Sequence, residues 1–477
     1  MPARLQIDHA VPGNHRGLPL RLTVRFFMKN DRHNILLKSV KRLLRRDAVI
    51  HLRKIANKTH GADLSMLFRS LSVNQQHIIF NLIEDTEQKG ILLSQLDEND
   101  FLALSEGLEI ESFVKVLECM ASDDAADLIG RLPEEQAAIL LEKMKNEDSD
   151  EVEELLNYED DTAGGIMVTD FIALKDDTTA EKAIRSLQKE HMDVEMPFYL
   201  YVVDEYGNLM GVCSLRQLVV VPPETPLKEF MTTEVFSVTT DTDQEEVAKI
   251  VARYDILAVP VVDETNKLAG IVTVDDVIDI FREEATEDIL KMAGVGEEFV
   301  ETQSVIRSTR KRLPWLFASC LGGVIASIVI GSFEASLSQV AYLAAFIPVI
   351  MGMGGNVGIQ SSTIVVRGLA TGRFNVRDVW AVVSKELVIG LILGTGYGVL
   401  IGTVAQFRYN TAAVALSAGL GTLSSMSIAS LMGSIMPMLF VRINIDPAVA
   451  TGPFVTSSID FISVFFYLYI ATRLLGI

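Results

Sequence analysis

From Leu313 to the end of the chain, apolar residues run in five long blocks, about 313–333, 339–368, 380–405, 411–441 and 449–475. A membrane-spanning helix needs about 20 residues, so each block is long enough to cross. Upstream the pattern changes. Residues 85–144 divide without gaps into five units of 12: "DTEQKGILLSQL", "DENDFLALSEGL", "EIESFVKVLECM", "ASDDAADLIGRL" and "PEEQAAILLEKM". Each unit opens polar and closes on Leu or Met, with apolar residues at helical spacing between. A repeat this short predicts stacked short helices in a small superhelical domain, which residues 34–84 join. The stretch "EDSDEVEELLNYEDD" that follows is acidic at nine of fifteen positions and reads as a solvated linker or helix face.

A different repeat comes next. "VVDEYGNLMGVCSLRQLV" (202–219) aligns without gaps to "VVDETNKLAGIVTVDDVI" (261–278), and "FIALKDDTTAEKAIRSL" (171–187) to "FSVTTDTDQEEVAKIVA" (236–252). Each copy predicts strand, helix, strand, turn, strand, helix. Over about 166–284 the pair resembles tandem cystathionine-β-synthase-type (CBS) domains. That resemblance implies a sensor of small ligands, often adenine nucleotides. Thr273 and Asp276 stand where such domains meet a ribose, whereas the first copy has Gln217 where an acid is expected. At most one nucleotide site, possible for ATP, is therefore expected, in the second copy.

Charge follows the same division. From Glu301 onward Lys and Arg outnumber Asp and Glu by 5; residues 1–300 carry a balance of −26. That acidity argues against a nucleic-acid partner, which needs a basic surface. The cysteines Cys119, Cys213 and Cys320 have neither disulfide-framework nor zinc spacing. All seven histidines lie at or before His191, so a metal handled by the apolar half would be a hard, oxygen-preferring one. No signal peptide is read in residues 1–30. "RSTRKR" (307–312), Arg367, Arg373, Arg377 and Arg442 fall on one side of the five blocks, which places the N-terminal half in the cytoplasm.

Three clusters carry candidate chemistry. Asp460 sits inside the fifth block after Thr456, Ser457 and Ser458. An ionised carboxylate at mid-bilayer costs about 2.5–3.5 kcal/mol on insertion scales, and no cation is near it in sequence, so it reads as a cation site lining a wet path. "MGMGGNVGIQSST" (351–363) places Asn356, Gln360, Ser361, Ser362 and four glycines in the second block, which beside Asp460 reads as pore lining. Pro453 is expected to loosen the start of the fifth helix and expose carbonyls. "DDVIDIFREEATEDIL" (275–290) holds Asp276, Asp279, Glu283, Glu284, Glu287 and Asp288 on one helix, where like charges four apart repel unless cations bridge them. Asp446 is expected on the same side. Asp123 and Asp127, also four apart, read by themselves as a capped helix start. No nucleophile–base pair, P-loop or metal-hydrolase motif is present, so no enzyme is expected.

Together, "GGNVGIQSSTIVVRGLATG" (354–372), "DTDQEEV" (241–247), "EEATEDI" (283–289) and "IDPAV" (445–449) resemble the MgtE family of magnesium channels and transporters, over about Asn34 to the C-terminus. The resemblance implies a homodimer in the cell membrane with a pore between protomers, passing Mg2+ passively inward. It implies Asp460 as the pore acid and Asn356 as pore lining. It ties Asp243, Glu245, Ala252, Asp255, Asp276, Asp279, Glu284, Glu287, Asp288 and Asp446 to regulatory cation sites, Gly165 to a backbone ligand, and Asp123, Asp124 and Asp127 to superhelix sites. Ser463 and Gly452 depart from the family's usual Gly and Asn and bear on selectivity, which leaves Co2+ or Mn2+ as alternative ions and a membrane-anchored nucleotide sensor as an alternative function. The expected fold is a multidomain membrane protein: an unassigned segment 1–33, a helical superhelix 34–160, CBS domains at 161–230 and 231–284, a connecting helix 285–312, and an all-α five-span domain 313–477.

Overall fold

The computed structural model describes residues 34–189, 198–295, 305–374 and 379–476; the segment 1–33 and part of the connecting segment, 296–304, lie outside them. The chain divides into two compact units, Met1–Asp241 with Pro260–Ile271, and Thr242–Val259 with Val272–Ile477.

In the first unit, each 12-residue sequence unit becomes one short helix: Thr86–Ser94, Glu98–Ser105, Ile110–Leu117, Ser122–Gly130 and Glu134–Lys143. The polar openings start them. Asp85 accepts from Glu87 N and Asp97 from Asp100 N, and acids in the first turn suit the positive helix end. Closing residues Leu96, Leu132 and Met144 are buried. The period runs further than the sequence pattern suggests. Helices Val49–Ala56, Gly61–Phe68 and Val73–Phe80 precede at the same spacing, and Asn146–Leu155 follows. The acidic stretch is thus a helix face, with Val152 and Leu155 buried beneath it. Side chains bind neighbouring repeats: Asn57 Nδ2 donates to Leu82 O (2.9 Å), and Gln88 Nε2 to Ala56 O (2.9 Å).

The αβ repeat forms two three-stranded sheets. In the first, β1 (Ala173–Lys175) lies parallel to β2 (Tyr199–Val203), and β2 antiparallel to β3 (Leu209–Ser214). The second has the order β4 (Val238–Thr239), β5 (Ala258–Val262), β6 (Leu268–Thr273). The alignment holds down to single hydrogen bonds. In "DEYGN" Asp204 Oδ1 accepts from Tyr206 N (2.8 Å) and Asn208 N (2.9 Å); in "DETNK" Asp263 Oδ1 accepts from Thr265 N (2.8 Å) and Lys267 N (2.9 Å). Side-chain donors first, Asn208 Nδ2 to Asp204 Oδ2 (2.8 Å) and Thr265 Oγ1 to Asp263 Oδ1 (2.7 Å), and then these backbone bonds hold both carboxyls below the usual aspartate range. The two turns also meet: Leu209 N donates to Asn266 O and Leu268 N to Gly207 O.

Among the described residues, the second unit contains five helices long and apolar enough to cross a membrane. Span 1 includes Val305–Ser332, span 2 Ile347–Ala370, span 3 Val379–Tyr409, span 4 Ala412–Arg442 and span 5 Pro453–Leu475. Span 4 is central. Its Ser417, Thr422, Ser425, Ser430 and Ser434 are fully buried, and several turn back onto their own helix, as Ser417 Oγ donating to Ala413 O (2.7 Å) does. Span 3 has an exposed face of Ile392 and Val399. Its other face carries Gly390, Gly394, Gly398 and Gly402, one per turn, against the span 4 backbone. A Cβ on Gly398 would lie 2.6 Å from Gly419 O. Helices in lipid are held by close packing rather than by hydrophobic burial, so such a glycine ladder is what joins them. Pro453 does not loosen span 5. It takes the first turn, where its missing N–H costs nothing, and Gly452 supplies the break from the short helix Pro447–Thr451.

Gly398→Ala should therefore destabilise the spans by about 1–3 kcal/mol through overpacking, whereas Gly396→Ala, in the same helix with nothing within 4 Å of its Cβ, should be neutral or slightly stabilising. Thermal unfolding in detergent measures both; equal midpoints would refute the ladder as the source of this packing.

Candidate functional site

Glycines again decide how span 5 is held. A Cβ on Gly322 of span 1 would lie 2.3 Å from Ser457 Cβ, and one on Gly354 of span 2 would lie 3.2 Å from Ile459 Cγ2. Gly358 likewise faces Ile459, so spans 1 and 2 flank the segment that ends in Asp460. Ile459 is fully buried; Asp460 is half-buried. Among the described residues Asp460 has no hydrogen-bond or ion-pair partner.

The glycines of "MGMGGNVG" fall on two faces of a continuous helix. Gly354 and Gly358 pack, whereas Gly352 and Gly355 meet nothing within 4 Å and share an uncovered face with the exposed Asn356 and Gln360. Ser361 and Ser362 are buried, away from that face. Ser463, one of the two departures, is also fully buried, 2.9 Å from Ser425 Oγ, which lies 3.0 Å from Ile350 O. Its hydroxyl therefore belongs to helix packing. Gly452, the other, lies close under the end of the connecting helix: its Cβ would be 3.3 Å from Met292 O.

A second cluster joins the second αβ repeat to the loop before span 5. The helix Val274–Met292 carries Glu284, Glu287 and Asp288; Asp243 caps the helix Gln244–Tyr254 by accepting from Glu245 N (2.8 Å). Gln244 Nε2 donates to Glu284 Oε1 (2.8 Å). Burial pushes the Asp288 carboxyl up to about 6, and Asp446, Glu245 and Glu284 add to the rise while Lys249 opposes it. Glu284 is raised too, by burial first. Lys291 pairs with Glu287 and, at 2.8 Å, with Asp446, whose Oδ1 also accepts from Ala448 N (2.7 Å). Lys291 was not singled out in the sequence, although its position one turn after Glu287 makes it visible as an i,i+4 partner. An open groove of about 820 Å³ adjoins the cluster, lined by Asp243, Glu245, Lys249, Arg253, Asn444 and Ile445.

Other predicted positions stand apart. Ala252 and Asp279 are exposed, and Asp255 ends its helix in the left-handed conformation with φ 51°. Thr273 is fully buried with its Oγ1 2.5 Å from both Asp275 Oδ1 and Asp276 Oδ2. Asp276 is pushed up to about 6, chiefly by burial. In the first copy Gln217 Oε1 accepts from Ser214 N (2.8 Å), so the residue that replaces an acid is a helix-cap partner.

On the superhelix, Asp123 and Asp124 occupy the first turn of Ser122–Gly130 and do not cap it; Asp127 lies 3.7 Å from Arg131. Of the three, Asp124 lines a cavity of about 1000 Å³, shared with Asp85, Glu118, Asp148, Glu151 and Asp170. Those five were missed because they come from three repeats and a strand entry; Asp148 and Glu151 lie three apart on one helix, but no local spacing relates them to the others. Gly165 is demanded by its turn, since a Cβ would lie 2.4 Å from Glu159 O. Among the described residues, no three His, Cys, Asp or Glu side chains are arranged to hold a metal ion.

Family models match three regions: a divalent cation transporter model (MgtE) over 347–470, the MgtE intracellular N domain over 59–161, and CBS domains over 163–224 and 227–283. The chain is 35% identical to the magnesium transporter MgtE of Thermus thermophilus, over 89% of this chain and 95% of the relative. It is 31% identical to the magnesium transporter MgtE of Bacillus subtilis, over 90% and 95%. A crystal structure of the cytosolic domain of the Mg2+ channel MgtE in complex with ATP aligns at 36% identity and a TM-score of 0.49, covering 51% of this chain and 99% of that one.

The Asp288 shift gives a signed expectation. The folded state holds this proton more tightly than the unfolded chain, so its penalty is complete above about pH 6 and fades as pH falls towards the ordinary value of 3.8. Asp288→Asn should raise the stability of the Mg2+-free chain at pH 7.5 by about 1 kcal/mol, after discounting for partial exposure. The gain should vanish near pH 4. Calorimetry at the two pH values checks this; a loss of stability at pH 7.5 would contradict it.

Proposed function

The chain belongs to the MgtE family of divalent cation transporters, and from that premise we propose that it is a Mg2+ channel, closed by Mg2+ on its cytoplasmic side. The observation that carries the reading is Asp460: a half-buried carboxylate in a membrane helix, unpartnered among the described residues. Such a group is expensive in lipid and acceptable beside a water-filled path. Mg2+ sheds water reluctantly, so the carboxylate acts on the ion's hydration shell, as an acceptor for its waters. The uncovered face with Asn356 suits a second copy of the chain, with one Asp460 from each protomer at the path between them. Arginines at 367, 373 and 442 support a topology with the N-terminal domains on the cytoplasmic side of a cell membrane.

Gating follows from the acid cluster. Glu245, Glu284, Asp288 and Asp446 repel one another, and Lys249 and Lys291 offset only part of that. Cytoplasmic Mg2+ binding among them favours the closed arrangement; when Mg2+ falls, repulsion favours the open one. This is a population shift driven by a ligand that prefers one state. Superhelix acids such as Asp124 contribute in the same way. A nucleotide at Thr273 and Asp276 is a further ligand consistent with the CBS pair. The burial of Ser463 favours Mg2+ over a selectivity altered toward Co2+ or Mn2+, because that departure sits in packing.

Purified chain in liposomes should take up Mg2+ down a gradient, and Asp460→Ala should lower the rate by about tenfold or more, the value of one charged contact. Millimolar Mg2+ should protect the soluble region from protease. A membrane-anchored sensor would leave uptake absent and Asp460→Ala without consequence.

A further inference from the structure

The apolar half holds a second carboxylate that the reading above does not use. Glu386 lies in span 3, is 5% exposed, and has no ion-pair partner among the described residues; its neighbour Lys385 points outward. Two helices supply its partners. Ser361 Oγ of span 2 donates to Glu386 Oε2 (2.8 Å), and Ser430 Oγ of span 4 donates to the Glu386 backbone oxygen (2.6 Å). The two serine oxygens are 3.2 Å apart, and both serines are buried. Gly390, one turn on, makes this possible: its Cβ would lie 2.7 Å from Ser430 Cβ. One residue therefore ties three spans at one point.

We propose that Glu386 is a positioning residue for the ion path. Ser361 is one turn from Gly358, and Gly358 packs on Ile459 beside Asp460. Asn356, on the uncovered face, lies five residues before Ser361 in the same continuous helix. Fixing Ser361 thus fixes the rotation of span 2, and with it the placement of Asn356 and of the Asp460 segment. A leucine would fill the space at lower desolvation cost but would not specify rotation, because apolar contacts slide where a hydrogen bond does not. The side chain acts through its acceptor oxygen rather than through its charge, which distinguishes it from Asp460.

The inference rests on the channel reading, and the two fail separately. The full chain in liposomes is assayed for uptake rate and for the ratio of Mg2+ to Co2+ uptake, with thermal unfolding in detergent as a fold check. A parent chain that takes up neither ion overturns the channel reading. With an active parent, Glu386→Leu should lower the rate by about tenfold and change the ion ratio, while Glu386→Gln, which keeps an acceptor oxygen, should recover most of it, within about threefold of the parent. Ser361→Ala should change the ratio in the same direction, and Ser361→Ala with Glu386→Leu should be no worse than Glu386→Leu alone. Should Glu386→Leu not fold, Ser361→Ala and Glu386→Gln carry the test. The assignment is overturned by a Gln variant as impaired as Leu, which would make the charge itself essential. It is equally overturned by lowered unfolding midpoints with an unchanged ion ratio, the mark of a packing residue.

Discussion

A carboxylate placed among lipid-length helices must find hydrogen-bond donors, a cation or water, because the surrounding hydrocarbon offers none. This chain answers that demand in two ways. Glu386 is enclosed, with a serine donor on its side chain and another on its backbone. Asp460 is half-open and has neither among the described residues. That contrast underlies the proposed roles, the enclosed acid in the scaffold and the open one beside a cation.

Both placements depend on how closely the helices approach. Spans 3 and 4 meet along a glycine ladder, and Gly322, Gly354 and Gly358 admit span 5 between spans 1 and 2. Larger residues at these points would separate the helices by more than a hydrogen bond can bridge. The serines of span 4 then reach across where glycines bring a partner near, and otherwise return to their own carbonyls. The same electrostatics operates outside the membrane in a softer form. Asp288 and its acidic neighbours are held together against repulsion with Lys249 and Lys291 as partial counterions. The proposed gating draws on that residual repulsion, whereas Glu386 already has its hydrogen-bond donors.

Much was legible in the chain because it is periodic. Five apolar blocks, a 12-residue helical period and a gapless αβ repeat each report a local rule of spacing, and hydrogen bonds as fine as those of Asp204 and Asp263 obey the alignment. Asp460 was legible for a similar reason: one charge in an apolar run needs no partner to be noticed. Glu386 was hidden beside Lys385, where a charged pair looks like the end of a span. The period of the superhelix also extends to Val49 and Leu155, past the point where polar openings announce it.

What the sequence by itself determined is the set of elements and the sign of the charges on them, since both follow from neighbours along the chain. Tertiary structure alone decided which glycines pack and which stay open, which carboxylate is enclosed, and that Lys291 meets Asp446. Those outcomes depend on residues far apart in sequence, such as Ser361, Glu386 and Ser430, which become neighbours only when helices cross at a particular distance and rotation.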